Sequence, residues 1–385
     1  MTISSDELSI NEQEIISLAQ ELVKIPSENQ PGNEKAIGEY IATWLKNKGL
    51  PAQLQEVEKD RFNVISSIKG EGPALLLCGH MDTVPVPNPE EWTFDPFSGE
   101  IEDGYLFGRG ALDMKGSLAC MLTAFVALKE VEEELSQDVV FLATVDEEVA
   151  TKGAKKAMES SDIRRVKQGI IAEPTDLNPV IVQKGHCWLK IKTRGVAAHG
   201  AIPERGVNAI MKMYPVLSRI QELDFGKGDH PLVSGTTVNI GLINGGVKIN
   251  MVPDSCETSL DFRFPPGVAS ESILGKITSL LEELKSKDEE LDAKAEIIKC
   301  SDPVEVERDA PIVTLLLKAM DKVLGSHSEP LGVPYYTDAS ALRGIPIVLL
   351  GPGEPGYAHQ KDERIKISSM LPAAKIYAML PLLQT

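Results

Sequence analysis

Hydrophobic residues recur along this chain with two alternating periods. Over residues 11–24, Ile15, Ile16, Ala19, Leu22 and Val23 fall on one helical face, and Pro26 ends the run. Residues 33–48 repeat the pattern with Ala36, Ile37, Tyr40, Ile41, Trp44 and Leu45, and Gly49 stands where a helix C-cap is expected. Strands are predicted over 52–56, 63–68 and 74–78. The last is an unbroken apolar run, Ala74-Leu75-Leu76-Leu77-Cys78, that stops at Gly79-His80-Met81-Asp82. Asp103-Gly104 marks a hairpin turn. A helix over 115–133, a strand over 139–143, a short helix over 151–158 and a strand over 169–172 follow. This alternation predicts a layered α/β domain with its chemistry at strand C-terminal ends.

From His186 the pattern changes. Strand 187–192, helix 208–223, strands 237–243 and 257–264, helix 269–284 and strand 293–299 spell β-α-β-β-α-β, the ferredoxin-like split unit. After Ser301-Asp302-Pro303 the first texture returns, with helix 311–324, strand 345–350 and helix 368–382. The reading is one α/β domain in two parts, 1–185 and 301–385, with a small domain inserted over 186–300.

Composition narrows the function classes. At 42% apolar residues over 385 positions, a large core can be buried without covalent staples. Cys78, Cys120, Cys187, Cys256 and Cys300 are scattered, with no C-x-x-C, which predicts reduced thiols in a cytoplasmic protein. The first residues, Met1-Thr2-Ile3-Ser4-Ser5-Asp6-Glu7, lack the basic start and apolar stretch of a leader. No run reaches the roughly 20 apolar residues of a membrane span, so no membrane partner is expected. A net charge of −18 argues against nucleic acid.

Candidate chemistry sits just past the predicted strands. In an extended chain His80 and Asp82 point to the same side, so a carboxylate can hold one nitrogen of a metal-binding imidazole. Asp113 follows the glycine-rich Gly108-Arg109-Gly110, Glu147 and Glu148 follow strand 139–143, and Glu173 follows Ile170-Ile171-Ala172. His359 comes after strand 345–350 and the loop Gly351-Pro352-Gly353. Each alone has a plain alternative. Asp113 could cap a helix, Glu147 and Glu148 could form a solvated turn, Glu173 could open a turn before Pro174, and His359 could be a loop residue. Together, two imidazoles and three or four carboxylates form the mixed N/O set that suits zinc, cobalt or manganese. One carboxylate more than a single ion needs points to two metals sharing a bridging ligand. Competing motifs fail: Lys115-Gly116-Ser117 is not in P-loop order, and neither H-E-x-x-H nor G-x-S-x-G occurs.

The series His80-Met81-Asp82-Thr83-Val84-Pro85, Gly108 to Gly116, Asp146-Glu147-Glu148 and Ala172-Glu173-Pro174-Thr175 resembles that of the acetylornithine deacetylase / succinyl-diaminopimelate desuccinylase family. Aminoacylases and glutamate carboxypeptidases of the dinuclear zinc type belong to the same family. Ala198-His199-Gly200, Asn250-Met251-Val252-Pro253, Asp261-Phe262-Arg263 and Gly351-Pro352-Gly353 with His359 continue the series, over about residues 10–380. The resemblance implies a zinc-exopeptidase-like three-layer catalytic domain with an inserted ferredoxin-like lid and dimerisation domain. It also implies two divalent ions, Zn2+ before Co2+ or Mn2+. By the same resemblance His80 and Glu173 bind one ion, Glu148 and His359 the other, and Asp113 bridges. Asp82 orients His80, Glu147 is the general base, and His199 donates to the oxyanion, often across a dimer. Arg263, Asn250, Gly351 and Gly353 contact substrate, and the peptide bond after Asp113 is cis. Gly200 departs from the family's usual Ala-His-Ser or Ala-His-Ala.

Elementary chemistry is compatible with this casting. A water shared by two cations about 3.5–4 Å apart loses a proton near neutral pH. A carboxylate beside it can take that proton and deliver it to a leaving amine. The expectation is a cytoplasmic homodimeric amidohydrolase acting on a small N-acyl amino acid. Acetylornithine deacetylase and succinyl-diaminopimelate desuccinylase both stay open, as does a dipeptidase, aminoacylase or carboxypeptidase using the same metals. The reading of another class is a catalytically silent binding relative.

Overall fold

The computed structural model describes residues 7–226 and 230–383, so Met1–Asp6 of the stretch read for a leader lie outside the described residues. The chain divides into two compact units. One holds residues up to Ile181 together with Val306–Leu331 and Thr337 onward; the other holds Val182–Glu305 and Gly332–Tyr336. The short segment Gly332–Tyr336 thus joins the second unit, although the sequence pattern places it with the last part of the first.

In the first unit the apolar runs pair into a central sheet in the order Gln53–Glu58, Arg61–Ile68, Val139–Thr144, Ala74–His80, Val166–Ile171 and Ile347–Leu349. The first two strands run antiparallel to their neighbours, and the next four are mutually parallel. Ala74–His80 is buried throughout, as a strand covered on both faces must be. Helices Glu12–Val23, Gly116–Glu130 and Met370–Met379 pack together. Asn11 caps the first of these by accepting the N–H of Gln13 at 2.8 Å. Four parallel strands therefore deliver His80, the residues after Thr144, the residues after Ile171 and the loop after Leu349 to one sheet edge.

Two expectations need correction here. Ala111–Glu130 does reach membrane-spanning length and apolarity, at 20 residues, but 89% of its apolar window is buried inside the fold. It is a core helix whose partners surround it, so it needs no polar face. The five cysteines are not all reduced: Cys187 and Cys300 form a disulfide, while Cys78, Cys120 and Cys256 are free and buried. Cys187 and Cys300 stand directly opposite each other on adjacent antiparallel strands, with Cα atoms 4.2 Å apart. Sequence spacing does not reveal that register, and one support for a cytoplasmic location goes with it.

The second unit is the β-α-β-β-α-β arrangement. Its antiparallel sheet runs Thr237–Gly245, Ser255–Phe264, Gly185–Arg194, Asp292–Ser301. Ser255–Phe264 alternates half-buried and buried residues, and its inward side chains meet helices Ala209–Glu222 and Ser270–Lys287 in one core.

Candidate metal centre

The acids and imidazoles gather at the C-terminal edge of the parallel strands. His80 ends its strand, and Asp113 lies in the irregular turn Ala111–Lys115 ahead of the helix Gly116–Glu130, followed by a cis peptide bond. Glu147 and Glu148 follow Val139–Thr144, Glu173 follows Val166–Ile171, and His359 closes the loop after Ile347–Leu349. Asp146 (φ 67°) and His359 (φ 61°) adopt left-handed backbone. That conformation costs a non-glycine residue roughly 1–3 kcal/mol and persists only where the surroundings enforce it.

Asp113 lies between the two imidazoles. Its Oδ1 is 2.9 Å from His80 Nε2, and its Oδ2 is 3.2 Å from His359 Nε2. His359 Nε2 is also 3.1 Å from Glu148 Oε1. One donor atom each from His80, Asp113 and Glu148 lie within 4.8 Å of one another. Glu147 and Glu173 are buried beside them, 7% and 6% exposed.

Burial sets the electrostatics. It pushes Glu173 up to about 8, with Asp113 adding to the effect, and raises Glu147 well above the usual carboxylate range, with Glu173 adding. Burial also raises Glu148. Asp113 goes the other way, because hydrogen bonds from His359 and His80 outweigh its burial. Burial would lower His80, but its bond to Asp113 prevails and raises it; the bonds to Asp113 and Glu148 lift His359 to about 10. Carboxylates packed this closely cannot all ionise unless cations lie among them. The residues fit a metal on a second count. Among the described residues, Glu173 Oε1 is buried with no hydrogen-bond partner.

Asp82 orients the site differently from expectation. His80 Nδ1 is 2.9 Å from the backbone carbonyl of Asp82, whereas the Asp82 carboxylate stands 3.7 Å away. That carbonyl is the acceptor, so the proton of a neutral His80 sits on Nδ1 and the Nε2 lone pair is left for a cation. The Asp82 carboxylate instead accepts the N–H groups of Glu147 (3.1 Å) and Glu148 (3.2 Å) and the side-chain amide of Asn29 (2.9 Å). Asn29 also reaches Asp146 at 3.1 Å, and Asp146 accepts from Arg61, which pairs in turn with buried Glu34.

Asn29, Arg61, Glu34, Asp146 and Asp338 support the site without being among the candidate residues named from sequence. Asp338 is buried, accepts the Thr144 hydroxyl at 2.6 Å, and is raised by burial to about 7. Apart from Asp146, which belongs to the Asp146-Glu147-Glu148 motif, they are single polar residues with no spacing that marks them out. The invariant feature they share is contact, which only the fold supplies.

Gly351 and Gly353 have packing to account for them. A Cβ at Gly351 would stand 2.3 Å from the Glu173 carbonyl oxygen, and one at Gly353 would meet Leu112. His199, Asn250 and Arg263 belong to the second unit. There His199 and Met251 form a bridge and Gly200 donates to the Asn250 carbonyl at 2.9 Å. A Cβ at Gly200 would lie 3.0 Å from that carbonyl, which accounts for glycine at this position. Arg263 binds Asp261 on its own strand, Nε to Oδ1 at 3.0 Å, and lies over the ring of Tyr336.

A profile of peptidase family M20/M25/M40 matches residues 76–382. The chain belongs to this family. Among its relatives is an acetylornithine deacetylase of Photorhabdus laumondii, 32% identical over 381 residues, covering 95% of this chain and 96% of that protein. A tripeptidase of Staphylococcus aureus shares the fold at TM-score 0.79 and 26% identity, over 97% of this chain and 98% of that one. A dinuclear metal-binding M20 peptidase of Bacillus subtilis superposes at TM-score 0.73 and 17% identity, over 96% and 97% of the two chains. Membership in the M20 family makes this chain a hydrolytic enzyme acting on amides.

Proposed function

We propose that this enzyme removes the acyl group from an N-acylated amino acid, with N-acetylornithine as its first candidate substrate and two divalent cations, Zn2+ before Co2+ or Mn2+, as cofactors. The observation that carries the reading is the Asp113 carboxylate held between His80 and His359, with Glu148 and the unpartnered Glu173 beside it. The 32% identity to an acetylornithine deacetylase over nearly the full chain supports the substrate class. His80 and Glu173 would hold one ion, Glu148 and His359 the other, and Asp113 both. Bound there, the ions supply Lewis-acid polarisation of the amide carbonyl and acidify water.

The chain's own groups supply the proton and the recognition. Glu147 is buried next to Glu148 and is left free of a metal in this assignment; its carboxylate takes the proton of the attacking water and returns it to the leaving nitrogen. Burial raises this acid, with Glu173 adding to the effect, so the carboxyl holds a proton more readily than a solvated one. His199 Nδ1 accepts the Ala201 N–H at 3.1 Å, so the neutral ring carries its proton on Nε2 as a donor to the oxyanion. Arg263 grips the substrate carboxylate with its forked guanidinium, and Asn250, Gly351 and Gly353 line the substrate. The second unit exposes Ile210, Met211 and Tyr214 on a helix, Leu242 and Ile243 on an edge strand, and Val247 and Ile249 in a loop. So much exposed apolar surface supports a homodimer through this unit.

A peptidase reading is the alternative, favoured by the likeness to a tripeptidase. The two separate when metal-loaded enzyme is assayed on acetyl-, succinyl- and glutaryl-amino acids beside di- and tripeptides. The expected result is highest kcat/KM on N-acetylornithine. Faster turnover of peptides would overturn the deacylase reading, and tight binding without hydrolysis would make the chain a binding relative.

A further inference from the structure

Glu363 is a buried carboxylate that the proposed metal chemistry does not use. It is 1% exposed, and it lies on the segment that also carries His359. Its Oε1 accepts two successive backbone N–H groups, those of Leu112 (3.1 Å) and Asp113 (3.0 Å). Its Oε2 pairs with Arg109, itself 1% exposed and lying against the ring of Trp92. The Glu363 carbonyl accepts the Gly108 N–H at 2.9 Å, and Arg364 continues in antiparallel register opposite Phe107. The segment bearing His359 is thereby stitched to the turn bearing Asp113.

Stability alone is a poor account of this pair. A buried ion pair gains little over apolar side chains of the same volume, because desolvation offsets the attraction. What an apolar pair cannot do is accept two amides and hold the peptide planes of Leu112 and Asp113. We infer that Glu363 is a positioning residue for the metal centre: one carboxyl oxygen fixes the backbone of Leu112 and Asp113 relative to the segment of His359, and Arg109 holds the other oxygen in place. The inference rests on the proposed two-cation reading only in taking Asp113 and His359 as ligands. Groups that hold metal ligands in place are worth about 10–100-fold in metal affinity or activity.

The test separates accepting hydrogen bonds from carrying charge. The double variant Arg109→Met/Glu363→Gln removes both charges and keeps an acceptor for the two amides; Arg109→Met/Glu363→Leu removes the acceptor as well. Full-length protein stripped of metal is titrated with cobalt chloride, following the cobalt d–d absorption, and amide hydrogen exchange at Leu112 and Asp113 is read in the same metal-free samples. The glutamine variant is expected to bind cobalt within about 3-fold of the parent and to keep both amides protected. The leucine variant, at a similar melting temperature, is expected to bind about 10–100-fold more weakly and to lose the protection. Equal cobalt affinity and equal protection in the two variants would overturn the inference. Should the leucine variant fail to fold, Arg109→Met/Glu363→Met makes the same comparison. A parent protein that takes up no cobalt would count against the two-cation reading, while the exchange pattern would still decide the role of Glu363.

Discussion

Glu147 and Glu173 are ordinary carboxylic acids whose behaviour is set by where the sheet ends. Both are raised by burial; Glu173 adds to the cost of ionising Glu147, and Asp113 to that of Glu173. Their pH consequence has a definite sign. A group whose folded pKa lies above its unfolded value stabilises the fold below the unfolded value and loses that contribution as pH rises through the folded one. Glu173 rises from 4.5 to about 8 and Asp338 from 3.8 to about 7. His359, raised from 6.5 to about 10, acts in the same direction. Metal-free protein is therefore expected to lose thermal stability from about pH 5 to pH 8. The melting-temperature gap between zinc-loaded and chelator-treated protein is expected to widen over that range. A gap that narrows would contradict the electrostatics derived for this cluster. The proposed base makes a separate prediction: Glu147→Gln should keep two equivalents of metal by elemental analysis while kcat falls by about 10²–10⁴-fold. Unchanged kcat would remove Glu147 from that role.

At the scale of elements, the site depends on how closely strand ends and loops approach. Gly351 follows Ile347–Leu349 and accepts the N–H of Thr175 at 3.2 Å. A Cβ there would press on backbone oxygens of Ala172 (2.4 Å) and Glu173 (2.3 Å), neither of which can rotate away. Gly351→Ala should therefore shift the segment carrying Glu173, lowering stability by about 1–3 kcal/mol in denaturant melts. Zinc affinity, measured against a chelator, should fall with it. Wild-type affinity at reduced stability would show that Glu173 does not depend on this approach. The helix Gly116–Glu130 shows the same dependence from the other side. Its apolar residues surround it because other helices do, and its N-terminal turn then places Asp113 beside the imidazoles.

At the scale of the whole molecule, a chain of net charge −18 exposes a set of large apolar residues, many of them on its second unit. Such surface is rarely left in water on a monomer. The proposed homodimer predicts that Met211→Lys combined with Leu242→Lys gives a monomer by sedimentation velocity, with the metal content of each chain unchanged. Dimers that persist in that variant would place the interface elsewhere.

The period of the apolar positions was enough to read the strand–helix alternation, the inserted β-α-β-β-α-β order and the strand ends where chemistry belongs. Those features are local, because each follows from the residue spacing of one segment and from the chain's need to bury one face. The acids and imidazoles could also be named from sequence, since all but Asp113 end or follow strands that must lie parallel and Asp113 follows a glycine-rich turn. What the sequence did not determine was every relation between distant segments. The carbonyl of Asp82 stands closer to His80 than its carboxylate does; Asn29, Arg61, Asp338 and Glu363 support the site from positions no spacing marks. Cys187 meets Cys300 only through strand register. Hydrogen bonds and ion pairs require atoms within a few ångströms, and that proximity is created when the apolar surfaces close, not when the residues are joined in order.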